Sequence, residues 1–278
     1  MPSSPATFND GAKLSHALAE VLTSWPLYRE YRYYDQTKTQ VLPAVIEMFC
    51  ANSSCQKETR WETSIYSNID HLGTFQTVEY KCRNCKESSV RYNYHWYRLN
   101  DAAAQVFVKF GQWPALEKRI PPELKRHLAG ADYELYQKAL RCRSQNLGIG
   151  ALGYMRRVVE NRTNELLDML AAEARQSGAS ELDLKDIEQA KKTYRFSEKI
   201  DLAKKIIPAT LRPGGHNPVD QLHDIASEGL HSKNEEECSI MFDQARDVFE
   251  FLFQEMERRK AAAAAFHSGL SAIATRNS

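Results

Sequence analysis

No stretch of the 278-residue chain approaches the ~18 consecutive apolar residues that a membrane-crossing helix needs. The opening MPSSPATFNDGAKLSHALAEV has no basic start followed by an apolar core, so it does not read as a secretory signal. Net charge is almost absent: 37 Lys and Arg stand against 36 Asp and Glu. Such a balance removes any whole-chain argument for nucleic acid or membrane, and a partner of that kind must be argued from a local patch. No HExxH-like spacing occurs, which removes the commonest signature of a metal-dependent hydrolase. The chain is therefore expected to be cytoplasmic, away from membranes, with its thiols reduced. Apolar residues make up 42 % of it, enough for a buried core.

Cysteine is scarce, with six in the chain, yet four of the six fall in two close pairs. CANSSC spans 50–55 and CRNC spans 82–85, with 26 residues between the pairs. Zinc takes four soft ligands in a tetrahedron, and a tight turn delivers two thiolates from one short segment. Cys82 and Cys85, with two residues between them, fit such a turn; Cys50 and Cys55, with four between, need a looser one. Each pair sits beside a strand-like segment, as two knuckles of a zinc ribbon would. Unrelated thiols or disulfides are the alternatives. A reducing compartment argues against disulfides, and the pairing argues against coincidence. Four cysteines leave no coordination position for water, so the expected Zn2+ is structural. His71 and His95 are substitute ligands that four cysteines make unnecessary.

From about 40 to 110 the character is β. SVRYNYHWY alternates, with Val90, Tyr92, Tyr94 and Trp96 on one side and Arg91, Asn93, His95 and Tyr97 on the other. TVEYKC alternates too. Lys81, Arg83, Lys86, Arg91 and His95 are candidate nucleic-acid contacts, because cations interleaved with aromatics suit phosphate contact beside base stacking. The competing reading makes Tyr92, Tyr94 and Trp96 the core of the small domain, and their strict alternation favours it.

Helical periodicity marks 10–24 and then most of the chain from 122 on, with helices expected over 122–145, 148–176, 181–192, 197–206, 218–230 and 235–259. Asn217 before Pro218 is a cap signal, and Asn234 followed by Glu237 is a capping box. The last helix is expected to bury Met241, Ala245, Val248, Leu252 and Met256, leaving Phe249, Phe251 and Phe253 as surplus apolar surface for a homodimer. The segment after 260 is expected to fray. Arg156, Arg157 and Glu160 on one helix, with Glu228 and His231 further on, form a candidate polar cluster.

GIGALGYMRRVVE, a Pro/Gly break and ASEGLHSKNEEEC before a final long helix resemble the helical domain of unknown function 4145, a family similar to HEPN domains. The resemblance covers roughly 120–258 and implies an antiparallel helical bundle that pairs with a second copy. HEPN ribonucleases carry an arginine, four to six residues, then a histidine. Upstream of His231 those places hold Asp224, Ile225 and Ala226, so the pattern is missing. The imidazole reads instead as a helix-end group. The expected fold class is α+β, mostly α. It comprises an N-terminal helix and connector (1–40), a small zinc-ribbon-like β region (41–115), an HEPN-like antiparallel helical bundle (120–260) and a low-complexity tail (261–278). The expected function is that of a non-catalytic, zinc-containing binding or regulatory protein, with nucleic acid and phage defence as candidate contexts. The alternative is a metal-independent HEPN-type ribonuclease with a rearranged site.

Overall fold

The structure is a computed structural model that describes residues 6–35, 42–63, 73–99, 104–115, 120–128, 130–176, 181–193, 198–199, 201, 207, 211–220, 222 and 232–276. The chain divides into two compact units, one of 1–117 with 144–146 and the other of 118–143 with 147–278. Among the described residues no helix is long and apolar enough to cross a membrane.

The first unit is built on a mixed seven-stranded sheet. Its strands are β1 (Ala6–Phe8), β2 (Glu30–Asp35), β3 (Val45–Cys50), β4 (Lys57–Glu62), β5 (Phe75–Cys82), β6 (Ser89–Arg98) and β7 (Ala104–Trp113), in the order β1-β2-β7-β6-β5-β4-β3. β1 runs parallel to β2, and every other pairing is antiparallel. Helix α1 (Gly11–Ser24) starts where the Asp10 side chain accepts the Ala12 N–H at 2.9 Å. It buries Leu14, Leu18, Val21 and Leu22 in one core with Tyr33, Ile46, Trp61, Val78, Tyr80, Tyr92, Tyr94, Trp96 and Phe107 of the sheet. Aromatic side chains dominate this core because their rings bury large apolar area while their polar tips find partners. Tyr80 donates to the Pro43 carbonyl at 2.7 Å, and Gln105 Oε1 accepts from both Tyr33 and Trp96 at 3.0 Å.

The pairing is uneven along the sheet. β3 and β4 are in register over six residue pairs and β5 and β6 over seven. Among the described residues β4 and β5 are in register at two, Trp61 with Cys82 and Glu62 with Lys81. The β3–β4 hairpin is therefore joined to the rest of the sheet by a short seam, and the cysteine knuckles lie at the end of it.

The second unit comprises α2 (Pro122–His127), α3 (Ala131–Ser144), α4 (Gly148–Gln176), α5 (Glu181–Lys192) and α6 (Glu235–Arg276). Its core joins Leu124, Tyr136, Leu152, Met155, Val158, Leu167, Cys238, Phe242, Phe249, Leu252 and Phe253. Gly148 lets the starts of α4 and α6 touch: a Cβ there would lie 2.0 Å from the Glu235 carbonyl oxygen. The Glu235 carboxylate accepts the Ile149 N–H at 2.9 Å, so it caps α4 from the first turn of α6. The capping box forms as the spacing predicts, with Asn234 and Glu237 exchanging side-chain-to-backbone bonds of 2.9 Å.

The structure corrects the expected fold class on both counts. The β part is no small zinc ribbon: the two cysteine-bearing hairpins occupy one end of a seven-stranded sheet. The reason lies in β2 and β7. EYRYYD, expected as part of a connector, alternates Glu30 and Arg32 with Tyr31 and Tyr33 and pairs along β7. The β character expected to about residue 110 runs on to Trp113 at the end of β7, which shifts register against β6 at Asn93/Tyr94. The helical part does not form the expected HEPN-like antiparallel bundle. Its packing centres on α4 against α6, and the single helix expected over 122–145 is two, parted where Gly130 takes φ 55°. Most of 197–206 and of 218–230 falls outside the described residues. Phe249 and Phe253 are core residues, not surplus surface, and only Phe251 of the three is exposed. The segment after 260 continues α6 to Arg276 in place of the expected fraying, in keeping with the high helix propensity of its alanine run.

Lys109 is a buried cation on β7, 1 % exposed. Its Nζ donates to the Leu22 carbonyl of α1 at 2.6 Å and to Gln112 Oε1 at 3.2 Å. Burial brings its ammonium down to about 7. An unfolded lysine titrates near 10.4, so between those values the unfolded chain holds a proton that the folded one has released. Stability from this residue therefore rises with pH, its burial penalty being full below pH 7 and relieved towards pH 10. The expected outcome is that wild type gains on Lys109→Met between pH 7 and 9.5, by up to about 1.4 kcal/mol per pH unit. Denaturant unfolding across that range checks it, and a gap that stays constant with pH contradicts it.

Candidate metal centre

The two cysteine pairs come together. Cys50, Cys55, Cys82 and Cys85 offer sulfurs that all lie within 4.8 Å of one another. Cys50 to Cys85 is 3.7 Å and Cys55 to Cys82 is 4.0 Å. A tetrahedron with metal–sulfur bonds of ~2.3 Å has sulfur–sulfur edges of about 3.8 Å, so the four sulfurs are spaced to hold one ion. Cys50 and Cys82 are buried at the end of the aromatic core, while Cys55 and Cys85 are half-buried.

Each knuckle is shaped by local chemistry. In the wider one, Asn52 Oδ1 accepts from the Ser54 N–H at 2.9 Å and the Ser54 hydroxyl at 2.7 Å, and the Asn52 carbonyl accepts from the Cys55 N–H at 2.9 Å. This Asx turn folds the four intervening residues back on themselves and brings Cys55 beside Cys50. In the narrower one the Cys82 carbonyl accepts from Lys86 N–H and the Cys82 N–H donates to the Ser88 carbonyl, both at 2.9 Å. In both knuckles the residue after the second cysteine is left-handed without being glycine: Gln56 has φ 44° and Lys86 φ 62°. Such a conformation costs a residue with a Cβ about 1–2 kcal/mol, and the closed turn sustains it.

The sulfurs have polar company as well. Ser88 Oγ lies 3.4 Å from Cys50 Sγ and 3.6 Å from Cys85 Sγ. Asn84 Nδ2 donates to Cys55 Sγ at 3.1 Å, and Asn52 Nδ2 donates to Glu87 Oε2 at 3.0 Å, so each knuckle also grips the other. The Ser88 main chain, followed by its hydroxyl, holds the Cys85 thiol down to about 6, and burial pushes Cys50 up to about 11. A cleft of about 610 Å³ opens beside the knuckles, lined by Glu47, Lys57, Glu58, Arg60, Arg83 and Asn84.

The remaining sequence candidates scatter. Arg83 pairs with Glu62 and Arg91 with Glu79, each at 3.1 Å. Lys81 and Lys86 are exposed. His95 stacks on Tyr97 at 4.8 Å, on the opposite side of β6 from Tyr92, Tyr94 and Trp96, which are buried. The aromatics weighed for base stacking are thus core. Arg156 and Glu160 form an i,i+4 pair at 2.9 Å on α4, both sides partly exposed. Arg157 is exposed, and Glu228, His231 and His71 lie outside the described residues.

A second polar group was not foreseen. His127 on α2 faces Glu165 of α4 at 2.6 Å and Glu257 of α6 at 3.2 Å. Arg162 pairs with both Glu165 and Asp132, and Asn161 donates to Asp132 at 2.6 Å. These side chains link α2, α3, α4 and α6 through largely buried charges. No sequence spacing announces them, because the partners come from four separate helices. No protein-family model matches the chain, and neither a curated protein nor a solved structure matches it.

The left-handed Lys86 generates a direct test. Lys86→Gly is expected to stabilise the unit by ~0.5–1 kcal/mol, the relief of the Cβ less the added chain entropy of glycine. Lys86→Val is expected to cost at least as much. Denaturant midpoints of the three proteins decide the matter, and destabilisation by glycine would contradict the account of the knuckle.

Proposed function

We propose that this protein is a non-catalytic binding or regulatory protein whose knuckles are fixed by one structural zinc ion. The observation that supports it best is the donor set: four cysteine sulfurs mutually spaced for a tetrahedron, two of them buried in the core of the sheet unit. With every ligand position taken by thiolate, no open position remains on which water or substrate could be activated. Zinc is the ion favoured by such a set in a reducing compartment, because it is redox-inert and accepts tetrahedral thiolate without strain. The centre links the β3–β4 hairpin to the β5–β6 hairpin across the two-pair seam, so its work is to hold the sheet together at that end. The cleft beside it offers cations, carboxylates and an amide on a rigid support, which suits recognition of a polar partner.

One zinc per chain is the expected result of elemental analysis on purified protein; stoichiometric iron would keep the site and replace the metal. Chelation, or Cys82→Ser with Cys85→Ser, should raise amide hydrogen exchange across 45–62 and leave 89–113 protected. Exchange unchanged by metal removal would overturn the structural role. Single-stranded RNA should survive incubation with the wild type without added metal, and its cleavage would overturn the non-catalytic reading.

A further inference from the structure

We propose that the four-cysteine centre is also a site of reversible oxidation, at which a hydroperoxide converts the metal-holding thiolates into two disulfides running between the knuckles, Cys50–Cys85 and Cys55–Cys82. The proposal rests on the metal reading above and adds its regulation.

Two contacts carry it. Cys50 and Cys85 sulfurs lie 3.7 Å apart and those of Cys55 and Cys82 lie 4.0 Å apart, two disjoint pairs that use all four sulfurs. A disulfide needs about 2.05 Å, so each pair closes by roughly 2 Å or less, within reach of side-chain rotation and a small turn adjustment. Each pair also joins unlike partners. Cys85 and Cys55 are half-buried, whereas Cys50 and Cys82 are buried. The outer sulfur of each pair is the one an oxidant meets, and the inner one is held against it as the resolving group. Asn84, which touches Cys55 Sγ at 3.1 Å, also lines the neighbouring cleft, so that sulfur lies next to an opening.

The chemistry balances. An outer thiolate attacks one peroxide oxygen, the O–O bond breaks, and the sulfur becomes a sulfenic acid as hydroxide leaves. The inner thiolate of the same pair then attacks that sulfur, the S–O bond breaks, and a second hydroxide leaves. With hydrogen peroxide as oxidant, one zinc tetrathiolate, two peroxides and four protons give one zinc ion, two disulfides and four waters. Each peroxide takes two electrons from one sulfur pair. The pairing has a structural consequence. Disulfides within knuckles, Cys50–Cys55 and Cys82–Cys85, would leave the two-pair β4–β5 seam untied once the metal departs. Disulfides between knuckles replace the metal link across that seam with covalent ones.

The test uses the full chain, reduced and zinc-loaded, titrated with hydrogen peroxide in the presence of a colorimetric zinc chelator. Peptides are then mapped without reduction, and hydrogen exchange is followed over 45–62. The expected result is loss of one zinc and the four clustered thiols per chain. Cross-linked peptides should join 50 to 85 and 55 to 82, and 45–62 should stay as protected as in the zinc form. Reductant with zinc should reverse all three changes. Cross-links confined within knuckles, conversion to sulfinic acid, or a hairpin as unprotected as in the chelated, reduced protein would overturn the proposal. A reduced protein that carries no zinc overturns the metal reading instead, and the disulfide map still decides the pairing.

Discussion

Among the described residues, two residue pairs, Trp61 with Cys82 and Glu62 with Lys81, and one backbone bond beyond them, from the Arg83 N–H to the Arg60 carbonyl at 2.9 Å, attach the β3–β4 hairpin to the sheet. A two-stranded ribbon is marginal by itself in water, so this hairpin needs more than its own ladder. Burial of Ile46 and Trp61 in the core beneath the sheet supplies one part. The knuckle contacts supply another, through Asn84 on Cys55 and Asn52 on Glu87. The sulfur cluster sits where a link has most leverage, at the open end of the seam. The left-handed Gln56 and Lys86 show that local backbone comfort is given up there to bring the thiols into one place.

The same unit tolerates an unusual amount of polarity in its interior because that polarity is answered. Tyr33, Tyr80 and Trp96 point polar tips at fixed acceptors, and Lys109 reaches a carbonyl of the last turn of α1, where the helix dipole favours a cation. The Lys109 bond thereby joins helix and sheet directionally, in addition to the apolar area they share, and favours one seating of α1 over the strands.

How far the sequence carries depends on whether a feature is local. Cys82–Cys85 spacing, the alternation of 89–97 and the Asn234–Glu237 box are short-range patterns, and each is visible in the chain and present in the structure. The Asx turn that closes the wide knuckle is also local, written in Asn52 and Ser54 between the two cysteines. What stayed hidden is non-local. β2 offers only a short alternation of its own and is fixed by pairing along β7, whose course is in turn obscured by a register shift against β6. The His127 network draws on four helices, so no window of sequence contains it. A single three-and-four stripe leaves Phe249 and Phe253 outside, while the buried face of the last helix is wide enough to take Phe242, Phe249 and Phe253 together.

The close approach at Gly148 bears on the run Glu235–Glu236–Glu237. Two helices begin within contact of each other there, and each brings the positive end of its dipole to the same spot. Like ends so placed repel, and an ordinary cap would neutralise only one of them. Glu235 serves both, as a side-chain acceptor for α4 and as a first-turn anion for α6, with two further carboxylates beside it. The acidic run is thus a shared counter-charge for a junction of two helix starts. Its charge belongs to the tertiary structure as much as to the helix in which it is written.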